Sequence, residues 1–215
     1  MGETLSALRD QGKVQDLIVV AISPLDRNRE YTHTSFMFGY SCCGLDGYAR
    51  YVAQHVKPWI DANYRTRPEA RSTAIVGSSH GGLAAFYLAA RYPEQFGNAG
   101  CLSSSFWVGL DTPWSVGGSL AGSSLLSATR GGLSSAQHPR LWLDWGLKRD
   151  GGDHNRVIEE GATRRGRELA RLLEQRYGYT LGEDLLTWED PIGGHDEDAW
   201  AWRFGLLMQA FFPRT

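Results

Sequence analysis

The sequence predicts an α/β domain whose mostly parallel sheet is flanked by helices. Short apolar runs alternate with longer stretches of helical spacing along the whole chain, the pattern that strand–helix–strand units produce. One of those runs, Thr73-Ala74-Ile75-Val76, passes through a glycine-bearing turn directly into an alanine-rich helix. The chain of 215 residues, 42% hydrophobic and 21% charged, is long enough to bury one sizeable core.

In chain order, residues 16–22 read as a short apolar strand closed by Ser23-Pro24. Residues 23–46 mix Ser, Pro, Asp, Asn, Gly and aromatics without a period and read as a loop. Residues 46–64 have helical spacing, with Tyr48, Tyr51, Val52, His55, Val56 and Ile60 largely on one face, and Pro58 predicts a kink inside it. A strand is expected over 72–77, a helix over 79–91 and a strand over 99–103. Residues 109–138 are rich in Gly and Ser and read as a loop, a candidate flap over the site. The run Leu141-Trp142-Leu143-Asp144-Trp145 is a strand, 157–177 a long amphipathic helix, 185–188 a short strand and 196–212 the closing helix. The whole chain, 1–215, is expected to form one domain.

Composition excludes several classes. With 22 Lys+Arg against 24 Asp+Glu the formal net charge is −2, without the basic excess of a nucleic-acid binder. The longest aliphatic run, 17–22, is far below the ~20 residues of a membrane-spanning helix. Residues 1–10 have neither an apolar stretch nor a cleavage site, so the expected compartment is the cytoplasm. Three cysteines without zinc-ligand spacing make neither a disulfide scaffold nor a metal site, and the vicinal Cys42-Cys43 pair reads as reduced thiols. The 26 glycines and 8 tryptophans point to many tight turns around an aromatic core.

Gly77-Ser78-Ser79-His80-Gly81-Gly82 places G-x-S-x-G between a strand and a helix, the context in which that motif presents a nucleophile. A serine projecting from so tight a turn needs side chains removed two positions before and after, at Gly77 and Gly81. The helix beginning there turns its N–H groups toward a reacting carbonyl, and the backbone N–H of His80 is the expected first oxyanion-hole donor. A serine needs a base oriented by an acid. His80, beside the nucleophile, is expected to point elsewhere; His33, His138 and His154 fall in loops and His55 on a helix. His195 lies between the last strand and the last helix, where a chain of order Ser, acid, His places its base. For the acid, Asp144, Asp150 and Asp153 compete. Asp144 sits inside its strand, as a packing or pairing residue would; Asp150, just past the strand end, is chosen, with Asp153 second. No metal and no organic cofactor are expected.

With these residues in this order, the chain resembles the putative-esterase branch of the α/β-hydrolase superfamily, which includes enterochelin-esterase-like, esterase-D-type and feruloyl esterases and the mycolyltransferases. The resemblance runs from Leu17 to Phe212. It rests on Asp26-Arg27-Asn28-Arg29-Glu30-Tyr31, Val56-Lys57-Pro58-Trp59-Ile60-Asp61, the Gly77–Gly82 turn and Arg91-Tyr92-Pro93-Glu94-Gln95-Phe96-Gly97. Leu102-Ser103-Ser104-Ser105-Phe106-Trp107, the turn from Trp145-Gly146 to Asp150, and Gly194-His195-Asp196-Glu197 with Trp200 complete it. It implies an α/β-hydrolase fold, a serine carboxylic-ester hydrolase with Ser79, His195 and Asp150 as triad, and Ser105 and Trp107 at the substrate pocket, with Trp107 equally suited to a core role. The same fold also hosts acyltransferases and non-catalytic binding proteins, the alternatives to hydrolysis.

In one respect the chain departs from the family. Relatives carry some tens of residues before the Leu17 run, including a strand whose Asp-Gly-like turn supplies the second oxyanion N–H. No such strand is visible here, so the fold is expected to be N-terminally shortened and the second donor is unknown, with residues 23–27 as one source. Losing one such donor typically costs about a hundred- to a thousandfold in rate. A sheet edge without that strand wants a partner, and a homodimer is the expectation. The other expected partner is a small-molecule ester; neither nucleic acid nor membrane is expected.

Overall fold

The computed structural model describes residues 2–35, 41–112, 116–149 and 156–214. Four strands, β1 (Ala74–Ser78), β2 (Asn98–Leu102), β3 (Arg140–Gly146) and β4 (Leu185–Asp190), form a sheet in that order. All three pairings are parallel, so every strand ends at the same edge of the sheet. The helices are α1 (Gly2–Asp10), α2 (Arg27–Glu30), α3 (Leu45–Tyr51), α4 (Lys57–Asn63), α5 (His80–Arg91), α6 (Ser124–Leu133), α7 (Arg156–Tyr177) and α8 (Glu197–Phe211).

The period-two alternation of the strands divides the core between two faces. On β3, Leu141, Leu143 and Trp145 join the larger cluster with Leu83, Phe86 and Leu88 of α5 and Leu169 and Leu173 of α7. Trp142 turns to the other face, where Trp200, Phe204, Leu207 and Met208 of α8 meet Leu8 of α1. The Pro58 kink takes a definite form. A π-helical turn, Val52–Val56, joins α3 to α4, and Pro58 occupies the first turn of α4, where its missing N–H removes little from the ladder.

Three expectations are corrected. Residues 16–22 form no strand. Leu17 packs with one face's cluster and Ile22 with the other's, while Ile18, Val19 and Val20 between them stay about half exposed. An apolar extended run becomes a strand only when a neighbour lies in register, and β1 is paired with β2 alone. The stretch 109–138 is not a loop throughout: a 3-10 turn, Leu120–Gly122, leads into α6, and Leu120, Leu125, Leu126 and Leu133 are core residues. Its many glycines masked a helix that tertiary burial stabilises. Finally, Cys42 and Cys43 are joined in a vicinal disulfide, not held as free thiols. Cys43 takes a left-handed backbone (φ 74°), and its N–H donates to Thr32 O at 3.1 Å, a turn that adjacency in sequence does not reveal. The pair therefore no longer speaks for a reducing compartment; Cys101 is free and buried. Among the described residues, no helix is long and apolar enough to cross a membrane.

Candidate active site

Ser79 stands between β1 and α5 with φ 55° and ψ −120°, a conformation an L-residue adopts only when its surroundings impose it. Its N–H donates to Leu102 O at 2.9 Å, and its own carbonyl accepts from the N–H groups of Gly82 and Leu83 in the first turn of α5 and of Ser105 beyond β2. These bonds fix the turn from both sides. Ser103, at the end of the neighbouring strand, is also left-handed, with φ 43°. Two strained serines on adjacent strand ends mark this edge as the place where strain is concentrated.

The glycines do not share the burden equally. A Cβ at Gly77 would lie 2.3 Å from Gly81 O, and one at Gly82 would lie 2.1 Å from Ser104 Oγ. At Gly81 the nearest atom would be Tyr31 Cε2 at 3.9 Å. Space therefore demands glycine at 77 and 82, whereas at 81 it is the backbone, not a missing side chain, that closes the turn.

Ser79 Oγ shares a hydrogen bond with Ser105 Oγ at 3.2 Å, and Ser105 Oγ shares another with His80 Nδ1 at 3.1 Å. His80 thus differs from its expectation: its ring comes back toward Ser79 through Ser105, because Ser105 is hydrogen-bonded onto the turn itself. The His80 ring packs edge-to-face on Trp107 at 5.8 Å, and Gly161 of α7 leaves room for the indole, 3.2 Å from where its Cβ would be. Trp107 is buried in the larger core cluster.

His195 is buried in the 191–196 segment between β4 and α8, its ring 5.0 Å from that of Trp200 and nearly perpendicular to it. Asp196 caps α8, accepting from Ala199 N–H at 2.8 Å. The segment folds back over the end of β3: Leu147 N–H donates to Asp190 O at 2.8 Å and Lys148 N–H to Gly193 O at 3.1 Å. His195 and Ser79 are therefore carried on the same edge of the sheet, three strands apart in order.

Of the acid candidates, Asp150 and Asp153 lie outside the described residues. Asp144 is buried in β3, as a pairing residue. It accepts from Ser103 N–H at 3.0 Å and Trp142 Nε1–H at 2.8 Å and lies 3.3 Å from Arg203 Nε. Burial pushes its carboxyl up to about 6, against the pull of Arg203 and those two donors. The 23–27 loop offers little to an oxyanion at Leu25 and Asp26, whose N–H groups donate to the Glu30 carboxylate at 3.3–3.4 Å.

Sequence reasoning missed Arg203, which is fully buried among apolar side chains of α8. The signal was its spacing: it falls one turn from Trp200 and Leu207, on the face that helical periodicity assigns to the core. Among the described residues, no group of three or more His, Cys, Asp or Glu could hold a metal ion.

Comparison with known proteins places this geometry in context. The model of a family described as "Putative esterase" matches residues 1–209. A Bacillus subtilis (strain 168) protein named "Uncharacterized protein YbbA" is 29% identical over 110 residues, 49% of this chain and 44% of that one. The iron(III) enterobactin esterase of Escherichia coli (strain K12) is 29% identical over 157 residues, 73% of this chain and 33% of the other. The chain thus spans less than half the length of either curated relative. The crystal structure of an IroE-like serine hydrolase from Shewanella oneidensis superimposes with a TM-score of 0.68 at 17% identity, over 97% of this chain and 65% of that one. At that identity the likeness establishes the fold, which is that of the α/β-hydrolases.

Proposed function

The chain belongs to the Putative esterase family, and from that premise we propose that it is a serine carboxylic-ester hydrolase acting through Ser79, His195 and Asp150. The observation that carries the reading is the backbone of Ser79, held left-handed between β1 and α5 by hydrogen bonds on both its N–H and its carbonyl. Such strain persists where the position of one side chain matters.

In the first half-reaction Ser79 Oγ attacks the ester carbonyl as His195 takes its proton. Asp150 holds the imidazole tautomer and stabilises the imidazolium. The N–H of His80, the first residue of α5, donates to the developing oxyanion, aided by the positive end of that helix. His195 then protonates the leaving alcohol, and water repeats the sequence on the acyl-enzyme. Ser105, bonded to both Ser79 Oγ and His80 Nδ1, holds the hydroxyl in one rotamer before substrate arrives. Support for esters as the substrate class comes from the family and from the enterobactin-esterase relative.

The test is labelling with a fluorophosphonate, read by intact mass and peptide mapping. One equivalent on Ser79, absent in Ser79→Ala and in His195→Ala, is the expected result, with ester turnover abolished in Ser79→Ala. Undiminished turnover in that variant would refute the assignment.

A further inference from the structure

Arg203 has no solvent exposure and sits where a leucine could pack between Trp200 and Phe204. A guanidinium is strongly disfavoured in such a place unless partners satisfy it, so packing alone does not account for it. Its partners come from the ends of β2, β3 and β4 and from the segment before His195. Nε lies 3.3 Å from Asp144 Oδ1 on β3, and Nη1 lies 3.4 Å from Asp190 Oδ2 at the end of β4. Nη2 donates to Ser103 Oγ at 2.9 Å, just past β2, and to Gly194 O at 3.4 Å, the residue before His195.

Two of these contacts extend the link. Asp190 Oδ1 accepts from Ile192 N–H at 3.2 Å and Gly193 N–H at 2.8 Å, so the carboxylate that faces Arg203 also shapes the turn leading to His195. Asp144 accepts from Ser103 N–H, and Ser103 precedes by two residues the Ser105 hydroxyl that touches Ser79 Oγ. One planar fork therefore ties the histidine's segment to the segment beside the nucleophile, hydrogen-bonding three acceptors (Asp190, Ser103 and Gly194) while it faces the Asp144 carboxylate, which a point charge on a lysine could not do.

We propose that Arg203 is a positioning residue for acyl transfer: by joining Gly194 to Ser103 it fixes the approach of His195 to Ser79. This rests on the reading of His195 as the base. A misplacement of about 1 Å in a catalytic constellation costs about a hundredfold in rate.

The experiment uses the full chain and the variants Arg203→Met, Arg203→Lys, Asp190→Asn and His195→Ala. Fluorophosphonate inactivation is followed against reagent concentration, separating the maximal rate from half-saturation, with near-UV circular dichroism on the same samples. Arg203→Met is expected to lose about a hundredfold in maximal rate at nearly unchanged half-saturation, because orientation and not binding is lost, and Arg203→Lys to recover part of it. Asp190→Asn keeps the acceptor for Ile192 and Gly193 but loses the charge facing Arg203. It is expected to fall in the same direction, and it carries the test if Arg203→Met does not fold. Folded variants with the wild-type maximal rate, beside an inert His195→Ala, would overturn the positioning role and leave the base in place. A reactive His195→Ala would overturn the base assignment and the present inference with it.

Discussion

The two glycines that flank Ser79 in the G-x-S-x-G motif invite a paired substitution, because the structure gives them opposite fates. In Gly77→Ala the new methyl would lie 2.3 Å from Gly81 O and 2.4 Å from Gly81 C. Real Cβ contacts do not fall below 3.0 Å, so β1 and the first turn of α5 must part by at least 0.7 Å, the difference between 3.0 and 2.3. Both sides of the clash are backbone, and neither can rotate away. Overpacking costs typically about 1–3 kcal/mol, and the upper end applies here. For a chain of this size that is a fall in Tm of about 6–12 °C. A shift of that size beneath Ser79, the proposed nucleophile, should also reduce its labelling by about a hundredfold. In Gly81→Ala the nearest atom is 3.9 Å away and no left-handed φ is required, so the methyl fits. Alanine in the helix's first turn should leave stability unchanged or raise it by about 0.5–1 kcal/mol. Urea and thermal unfolding of both variants, beside fluorophosphonate labelling, decide the matter. Equal losses in the two, or a Gly77→Ala protein as stable as wild type, would refute the steric reasoning.

Acid stability should reflect two opposed buried groups. Burial pushes the Asp144 carboxyl up to about 6 and the His33 imidazole down to about 4. Asp144 binds its proton more tightly when folded, so its contribution is lost as pH rises from about 4 to 6; His33 binds more weakly, so its contribution is lost as pH falls from about 6.5 to 4. Each is worth on the order of a few kcal/mol, and the two act in opposite directions. Asp144→Asn should therefore show stability rising with pH across that window and His33→Asn should show it falling; parallel profiles for wild type and both variants would contradict this. A third expectation concerns Asp111, which Arg165 grips through both oxygens and Arg164 through one. Burial raises its carboxyl, but these arginines and Gly117 N–H bring it below the usual range, so its contribution is lost as pH falls through the folded-state value. Asp111→Ala leaves a buried Arg165 with Glu168 as its one remaining carboxylate, beside the Gly117 carbonyl, and should cost about 3 kcal/mol by urea unfolding at pH 7; a loss under about 1 kcal/mol would contradict the pairing.

The features legible in the sequence were the local ones. The parallel α/β order, eight of the nine expected strands and helices, and the strand–turn–helix around Ser79 follow from periodicities and from glycine placement within a few residues. The resemblance to a family added the fold and the ester chemistry proposed for the site. Where the same local signal had two outcomes, the reading failed. An apolar extended run at 16–22 found no ladder partner, and a glycine-rich stretch acquired a helix because Leu125, Leu126 and Leu133, seven and eight residues apart, could be buried on one face.

Sequence by itself determined that a serine would stand between a strand and a helix in this chain, since a strand, a glycine and a helix start are decided within a dozen residues. Only the tertiary structure decided what meets that serine. The Ser79–Ser105 contact spans 26 residues and the Ser103–Arg203 contact 100, and the disulfide between two adjacent cysteines depends on a turn held by Thr32. Hydrogen bonds and buried charges act over a few ångströms in space, and which distant residues come that close is settled when the strands stack and the helices close over them.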